Sequence, residues 1–169
     1  MKIVECQFQA INFSTHNNEF GMGIDFMCKM AETLLEVQFP APDERIQFEL
    51  SNRILYNCHR TYENFSTALE HIKCDPRFNY RYDGAFINDE CNIGIEIQFR
   101  PDFLKDITRF QLGFHSGRFQ AIVYIVASKK NTINPRYISM PQFDNMGGVL
   151  AQLKWFKFPI LLVGINCEH

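Results

Sequence analysis

Two acids and an amide stand close together in YRYDGAFINDECNIGIEIQF, residues 80–99: Asp83, Glu96 and Gln98. The stretch divides into two β-prone runs at Asn88-Asp89-Glu90-Cys91, a segment too polar and turn-prone to extend either run. With that segment as the loop, antiparallel pairing sets Ile87 against Asn92, Ala85 against Gly94, Asp83 against Glu96 and Arg81 against Gln98. Alternation then puts Asp83, Ala85, Gly94, Glu96 and Gln98 on one face, and Tyr82, Phe86, Ile93, Ile95, Ile97 and Phe99 on the other. Carboxylates set opposite one another repel, more so at low dielectric, and a divalent cation relieves the repulsion. Mg2+ suits such a pair, because it takes one or two carboxylates and completes its shell with water and substrate phosphate. Ala85 and Gly94 leave room beside the acids for something large to approach. The same pattern also describes solvated acids on the exposed face of a hairpin.

The 169 residues are 46% hydrophobic, enough for one domain with a proper core and too few for two of ordinary size. With no apolar run approaching a membrane span and no leader pattern, the expectation is a soluble, intracellular, cytoplasmic protein without membrane contact. The six cysteines include no CxxC pair, which fits reduced thiols better than a zinc ribbon or a disulfide framework. Cys58, His59, His71 and Cys74 make only a weak metal signal, since they fall in a segment that reads as helix. Net charge is −2, but residues 1–99 carry 8 basic and 15 acidic side chains, whereas residues 100–169 carry 9 basic and 4 acidic. A basic part following an acid pair suits a protein that grips phosphates while holding a metal, although mild asymmetry is also common in proteins that bind no nucleic acid.

The elements that must position the acids follow from periodicity. Residues 2–9 read as a strand, and residues 19–36 as a helix that ends before Pro40 and Pro42. Within LEVQF, residues 35–39, Glu36 and Gln38 imitate Glu96 and Gln98, but they continue a helical pattern and have no aspartate-bearing strand upstream. Residues 46–72 carry an apolar stripe from Leu50 to Ile72 and read as a second helical region, with Glu63 on its polar side. After Phe99, Arg100-Pro101-Asp102 begins a helix over 102–116 that Gly117 ends; Phe103, Leu104, Ile107, Phe110 and Phe114 form its stripe, and Lys105, Arg109 and Arg118 lie outside it. FQAIVYIVA, residues 119–127, is apolar enough for a strand covered on both faces. A polar, basic connection over 128–141, a helix over 142–155 and a buried strand over 158–165 complete the chain. The order from residue 80 onward predicts an α/β protein: a central mixed β-sheet flanked by α-helices.

With these elements placed, residues 83–127 resemble the catalytic core of the PD-(D/E)XK nuclease superfamily, and in particular type II restriction endonucleases of the BglII and BstYI kind. Glu96-Ile97-Gln98-Phe99 is similar to the glutamate-x-glutamine-phenylalanine that those enzymes carry in place of glutamate-x-lysine. PILLVGI, residues 159–165, is similar to their last strand, and MKIVE to the start of one member. The resemblance covers most of residues 80–165; residues 5–79 match only in element order. It implies a single restriction-endonuclease-like domain over 1–169, with a helical part at 1–79 and a catalytic core at 80–165. It further implies Asp83 and Glu96 as ligands of Mg2+ and Gln98 in the lysine's place. Asp89 rivals Asp83, because the aspartate-to-glutamate spacing is longer here than in those enzymes.

The reaction implied is hydrolysis of double-stranded DNA by a metal-activated water. Gln98 would orient water or phosphate without supplying a charge, and Arg81, paired opposite it, would supply one. Arg100, Lys130, Asn131, Asn134 and Arg136 are candidates for base contacts in the major groove, or for plain phosphate contacts. The resemblance also implies a homodimer, with the 102–116 helix as a candidate interface, and a cognate DNA methyltransferase. Three alternatives accompany this reading: a repair or resolvase-type nuclease, a nicking enzyme, and a noncatalytic DNA-binding subunit.

Overall fold

The computed structural model describes residues 2–13, 21–38, 46–89, 91–100, 102–128, 142–153 and 156–168. Its described strands form one six-stranded mixed sheet in the order β1-β6-β5-β4-β3-β2. These are β1 (Lys2–Ile11), β2 (Phe65–Ser66), β3 (Gly84–Ile87), β4 (Asn92–Gln98), β5 (Ala121–Ala127) and β6 (Ile160–Glu168). β4, β5 and β6 run parallel, and antiparallel partners lie at both edges. The helices are α1 (Ile24–Leu35), α2 (Ile46–Thr61), the short α3 (Leu69–Ile72), α4 (Phe103–His115) and α5 (Phe143–Gln152). Among the described residues no helix is long and apolar enough to cross a membrane.

Alternation sorts the sheet's side chains into two cores. Ile93, Ile95, Ile97, Val123, Ile125, Leu161 and Val163 pack against Met30 and Leu34 of α1 and Leu50, Ile54 and Cys58 of α2. Ile122, Tyr124, Val126, Ile160 and Leu162 face Ile107 and Phe110 of α4, Met146 and Leu150 of α5, and Ile72 of α3. β5 is buried throughout, as its unbroken apolar run predicts. α4 and α5 join the parallel strands and cover the same face, so the end of β4 opens directly onto the start of α4. α4 ends at His115, and Gly117 follows at φ +71°, a conformation that disfavours any residue with a Cβ.

The 46–72 region is corrected: α2 stops at Thr61, and β2 intervenes before α3. The break lets Phe65 pair with Phe86 and brings Tyr62 edge-on to the Phe86 ring at 5.0 Å. It also gives the outer edge of β3 a partner, Ile87 N–H donating to the Asn64 carbonyl. A two-residue strand leaves no periodicity for sequence reading to detect. Residues 35–38 behave as a helix end, with Glu36 capping α1 and Gln38 bridging to Lys2.

The hairpin pairs Ile87 with Asn92, Ala85 with Gly94 and Gly84 with Ile95, in the register that the polar loop predicts. It departs from expectation upstream of Gly84. Tyr82 N–H donates to the Ile72 carbonyl, and Arg81 bridges to Lys73, so Arg81 does not face Gln98. The backbone leaves the ladder here and Tyr82 lands on the α4 side, not with Phe86.

The Tyr82 ring fills the space that Gly94 leaves. A Cβ at Gly94 would lie 2.7 Å from that ring and from Ile122, and one at Gly113 would lie 2.3 Å from the tyrosine oxygen. The room beside the acids is therefore occupied by the protein itself. Gly94→Ala should destabilise the fold by about 1–3 kcal/mol, the range typical of overpacking, as read from urea unfolding.

Candidate active site

The acid cluster begins where β3 ends. Asp83 N–H still donates to the Ile95 carbonyl at 3.0 Å, but the backbone turns away before it, and the Ile97 N–H donates instead to Asp83 Oδ2 at 2.8 Å. This bond fixes the Asp83 carboxylate against β4. Asp83 and Glu96 line one open cavity of about 280 Å3, together with Gln98, Arg100, Asp106 and Arg109, and with Phe48 and Asn52 contributed by α2. The sheet thus brings Asp83, Glu96 and Gln98 together. Asp89 is exposed in the hairpin loop and does not line the cavity. Glu63 is exposed in the turn after α2. Lys130, Asn131, Asn134 and Arg136 lie outside the described residues.

α4 supplies two groups that sequence reading passed over. Asp106 is completely buried: its Oδ2 accepts from Gln98 Nε2 and from the Tyr124 hydroxyl, each at 2.8 Å, and its Oδ1 accepts from Arg109 Nη1 at 3.2 Å. Arg109 Nη1 also donates to Glu96 Oε1 in a close ion pair. The expectation that Arg109 lies outside the packed face is corrected, since its side chain is only 18% exposed. A signal was present: Asp106 falls within the apolar stripe of α4, where an unpaired charge would be costly, and Arg109 stands three residues on, the spacing of a helical neighbour.

Gln98 is engaged at both ends of its amide. Nε2 donates to Asp106, and Oε1 accepts from the Arg100 backbone N–H at 3.0 Å. This ties the end of β4 to α4 and to the Arg100 turn. The tyrosines remain neutral: burial pushes the Tyr82 and Tyr124 hydroxyls well above the usual range, so both act as donors. The Tyr82 hydroxyl donates to the Arg109 carbonyl at 3.0 Å.

Burial, and then the Asp83 charge, push the Glu96 carboxyl well above its ordinary value, with Arg109 opposing them. Asp83 is raised by burial, against the Ile97 N–H and Arg109, and Asp106 is raised by burial, against Tyr124 and Gln98. Three carboxylates face one guanidinium, so the ionised cluster carries a net −2, which one divalent cation would balance.

Among the described residues, two buried atoms at the site have no hydrogen-bond partner, Glu96 Oε2 and Arg109 Nε. A buried, unpartnered carboxylate oxygen on a residue that lines a cavity together with a second carboxylate fits a hard cation with oxygen ligands. Among the described residues no group of three or more His, Cys, Asp or Glu side chains assembles as a metal cluster, so the fit is to a two-carboxylate site completed by water or substrate oxygen. The cysteine–histidine grouping dissolves: burial pushes the Cys58 and Cys74 thiols up to about 12, and His59 and His71 are exposed. Cys74 also lies beyond α3, outside the helix expected to hold it.

No protein-family model matches the chain, and no curated relative matches it in sequence. Among solved structures, the crystal structure of restriction endonuclease BglII complexed with a DNA 16-mer matches with a TM-score of 0.67 at 18% identity, over 98% of this chain and 79% of that one. Free BglII matches with a TM-score of 0.62, also at 18% identity, over 98% and 81%. The chain has a BglII-like restriction-endonuclease fold, and the expected α/β architecture is borne out.

Proposed function

We propose that this protein is a magnesium-dependent endonuclease that hydrolyses phosphodiester bonds at specific sequences in double-stranded DNA, a type II restriction endonuclease. The observation that carries the reading is the meeting of Asp83 and Glu96 in one cavity, with Glu96 Oε2 left without a partner among the described residues. The BglII-like fold supports it, and so does the complex of that neighbour with DNA.

Asp83 and Glu96 are the residues that would hold Mg2+. When bound, the ion lowers the pKa of a water and offsets charge growing on the phosphate oxygens. Asp83 is held for this task by the Ile97 N–H, and Glu96 by its place in β4. Gln98 acts as a positioning residue, keeping Asp106 and the Arg100 turn in place. The positive charge that glutamine cannot supply comes from Arg109, whose guanidinium already lies against Glu96. Arg100, which also lines the cavity, is placed to meet the DNA.

A palindromic target calls for two copies of the chain. α4 offers a candidate interface, with Leu104 and Phe114 exposed on its outer side. A cognate methyltransferase and a cytoplasmic setting belong to the same proposal. The test is a digest of unmethylated phage DNA with Mg2+, followed by sequencing of the ends. Discrete fragments sharing one terminal sequence are expected. Cutting confined to branched or damaged DNA would transfer the assignment to a repair or resolvase-type nuclease. Intact DNA across varied duplexes would leave a binding subunit.

A further inference from the structure

From residue 73 to residue 81, between α3 and the acid cluster, the chain reads Lys73-Cys74-Asp75-Pro76-Arg77-Phe78-Asn79-Tyr80-Arg81, with cations and aromatics interleaved. Three cations face one acid in these nine residues, in a protein whose net charge is −2. The lone acid is turned inward. Asp75 is buried, and its carboxylate accepts from the Arg77 backbone N–H at 2.8 Å and from Arg77 Nε and Nη2 at 3.1 and 2.8 Å. The Arg77 side chain is nevertheless 77% exposed and lies over the Phe78 ring, 5.8 Å from its centroid. Phe78 and Tyr80 are 46% and 39% exposed, and Arg81 is exposed.

The loop is preorganised. Cys74 N–H donates to the Tyr80 carbonyl, Phe78 N–H to the Asp75 carbonyl and Tyr82 N–H to the Ile72 carbonyl, while Lys73 and Arg81 form a bridge. It is also continuous with the acid cluster. Arg81 stands two residues before Asp83, which lines the cavity. A fixed loop that turns its acid inward and its cations and rings outward suits a polyanion with flat apolar faces. Phosphates meet the cations, and sugars or unstacked bases meet the rings.

Resting on the nuclease reading, we propose that the 73–81 loop is a DNA-strand clamp beside the active site, with Lys73, Arg77 and Arg81 on the phosphates and Phe78 and Tyr80 against the sugar or base of an adjoining nucleotide. The test measures binding of short mixed-sequence duplexes in Ca2+, used as a cation that supports binding without turnover, from about 50 to 200 mM salt. The variants are Lys73→Gln/Arg81→Gln and Phe78→Ala/Tyr80→Ala; Arg77 is left intact because it secures Asp75. The cation pair should weaken binding roughly tenfold and reduce the salt slope by about 2, close to the 0.9 expected per phosphate contact. The ring pair should weaken binding with the slope unchanged. Unfolding curves matching the parent exclude loss of fold. A parent-like salt slope in the cation pair overturns the clamp, and a parent-like affinity in the ring pair overturns the nucleotide contact. Wild-type protein that binds no duplex overturns the nuclease reading as well, whereas wild-type binding with unaffected variants overturns the clamp alone.

Discussion

Glu96→Ala should lower the rate of DNA cleavage by about a thousandfold while leaving Ca2+-supported DNA binding measurable, because losing the proposed metal ligand would forfeit about 4 kcal/mol of transition-state stabilisation. Asp83→Ala should do the same. Asp89→Ala, at the rival position in the hairpin loop, should leave the rate unchanged, since that side chain lies away from the cavity. Single-turnover cleavage of a plasmid measures all three, with filter binding as the control. Undiminished cleavage by Glu96→Ala would sink the assignment of this cavity as the catalytic centre. Equal loss in the Asp89 variant would move the first ligand into the loop.

Removing the same charge should stabilise the cation-free protein. Burial raises the Glu96, Asp83 and Asp106 carboxyls above their ordinary values of 4.5 and 3.8. The folded state therefore holds protons that the unfolded state has lost, so the stability these acids contribute is fully present below those values and is lost as pH rises through the raised ones. Asp75 has the opposite sign: Arg77 holds it at about 2, so its contribution is complete above its ordinary 3.8 and is lost as pH falls through about 2. Without divalent cations the melting temperature should fall as pH rises above the ordinary carboxylate values, and Glu96→Gln should flatten that fall and melt a few degrees higher on its alkaline side. Mg2+ or Ca2+ should raise the wild-type melting temperature at pH 8 and have little effect on the variant. A flat wild-type profile unmoved by cations would count against a charge-burdened cluster.

The hairpin register, the buried β5 and β6 and the crossover through α4 were legible in the sequence because each rests on local pattern: a polar loop, an unbroken apolar run, a stripe of helical period. The upstream end of the hairpin was not. Whether Tyr82 continues the ladder is decided by the Ile72 carbonyl, which α3 delivers from another element. β2 was missed for a similar reason, since its pairing to β3 is set by the burial of Phe65 against Phe86. Within the site, Asp83, Glu96 and Gln98 could be picked out by spacing, whereas Asp106 and Arg109 were overlooked. Arg109 reads as lying outside the stripe of α4, although Asp106, three residues before it, occupies an apolar position. That misreading exchanged Arg109 for Arg81 as the cation beside the acids.

The bond from Ile97 to Asp83 makes one carboxylate both a candidate ligand and the terminal rung of the sheet. Such an acid cannot swing to follow a departing ion without stranding a main-chain proton, so coordination there is welded to the fraying of a β-edge. Affinity for the cation and local rigidity at this corner should therefore rise and fall together.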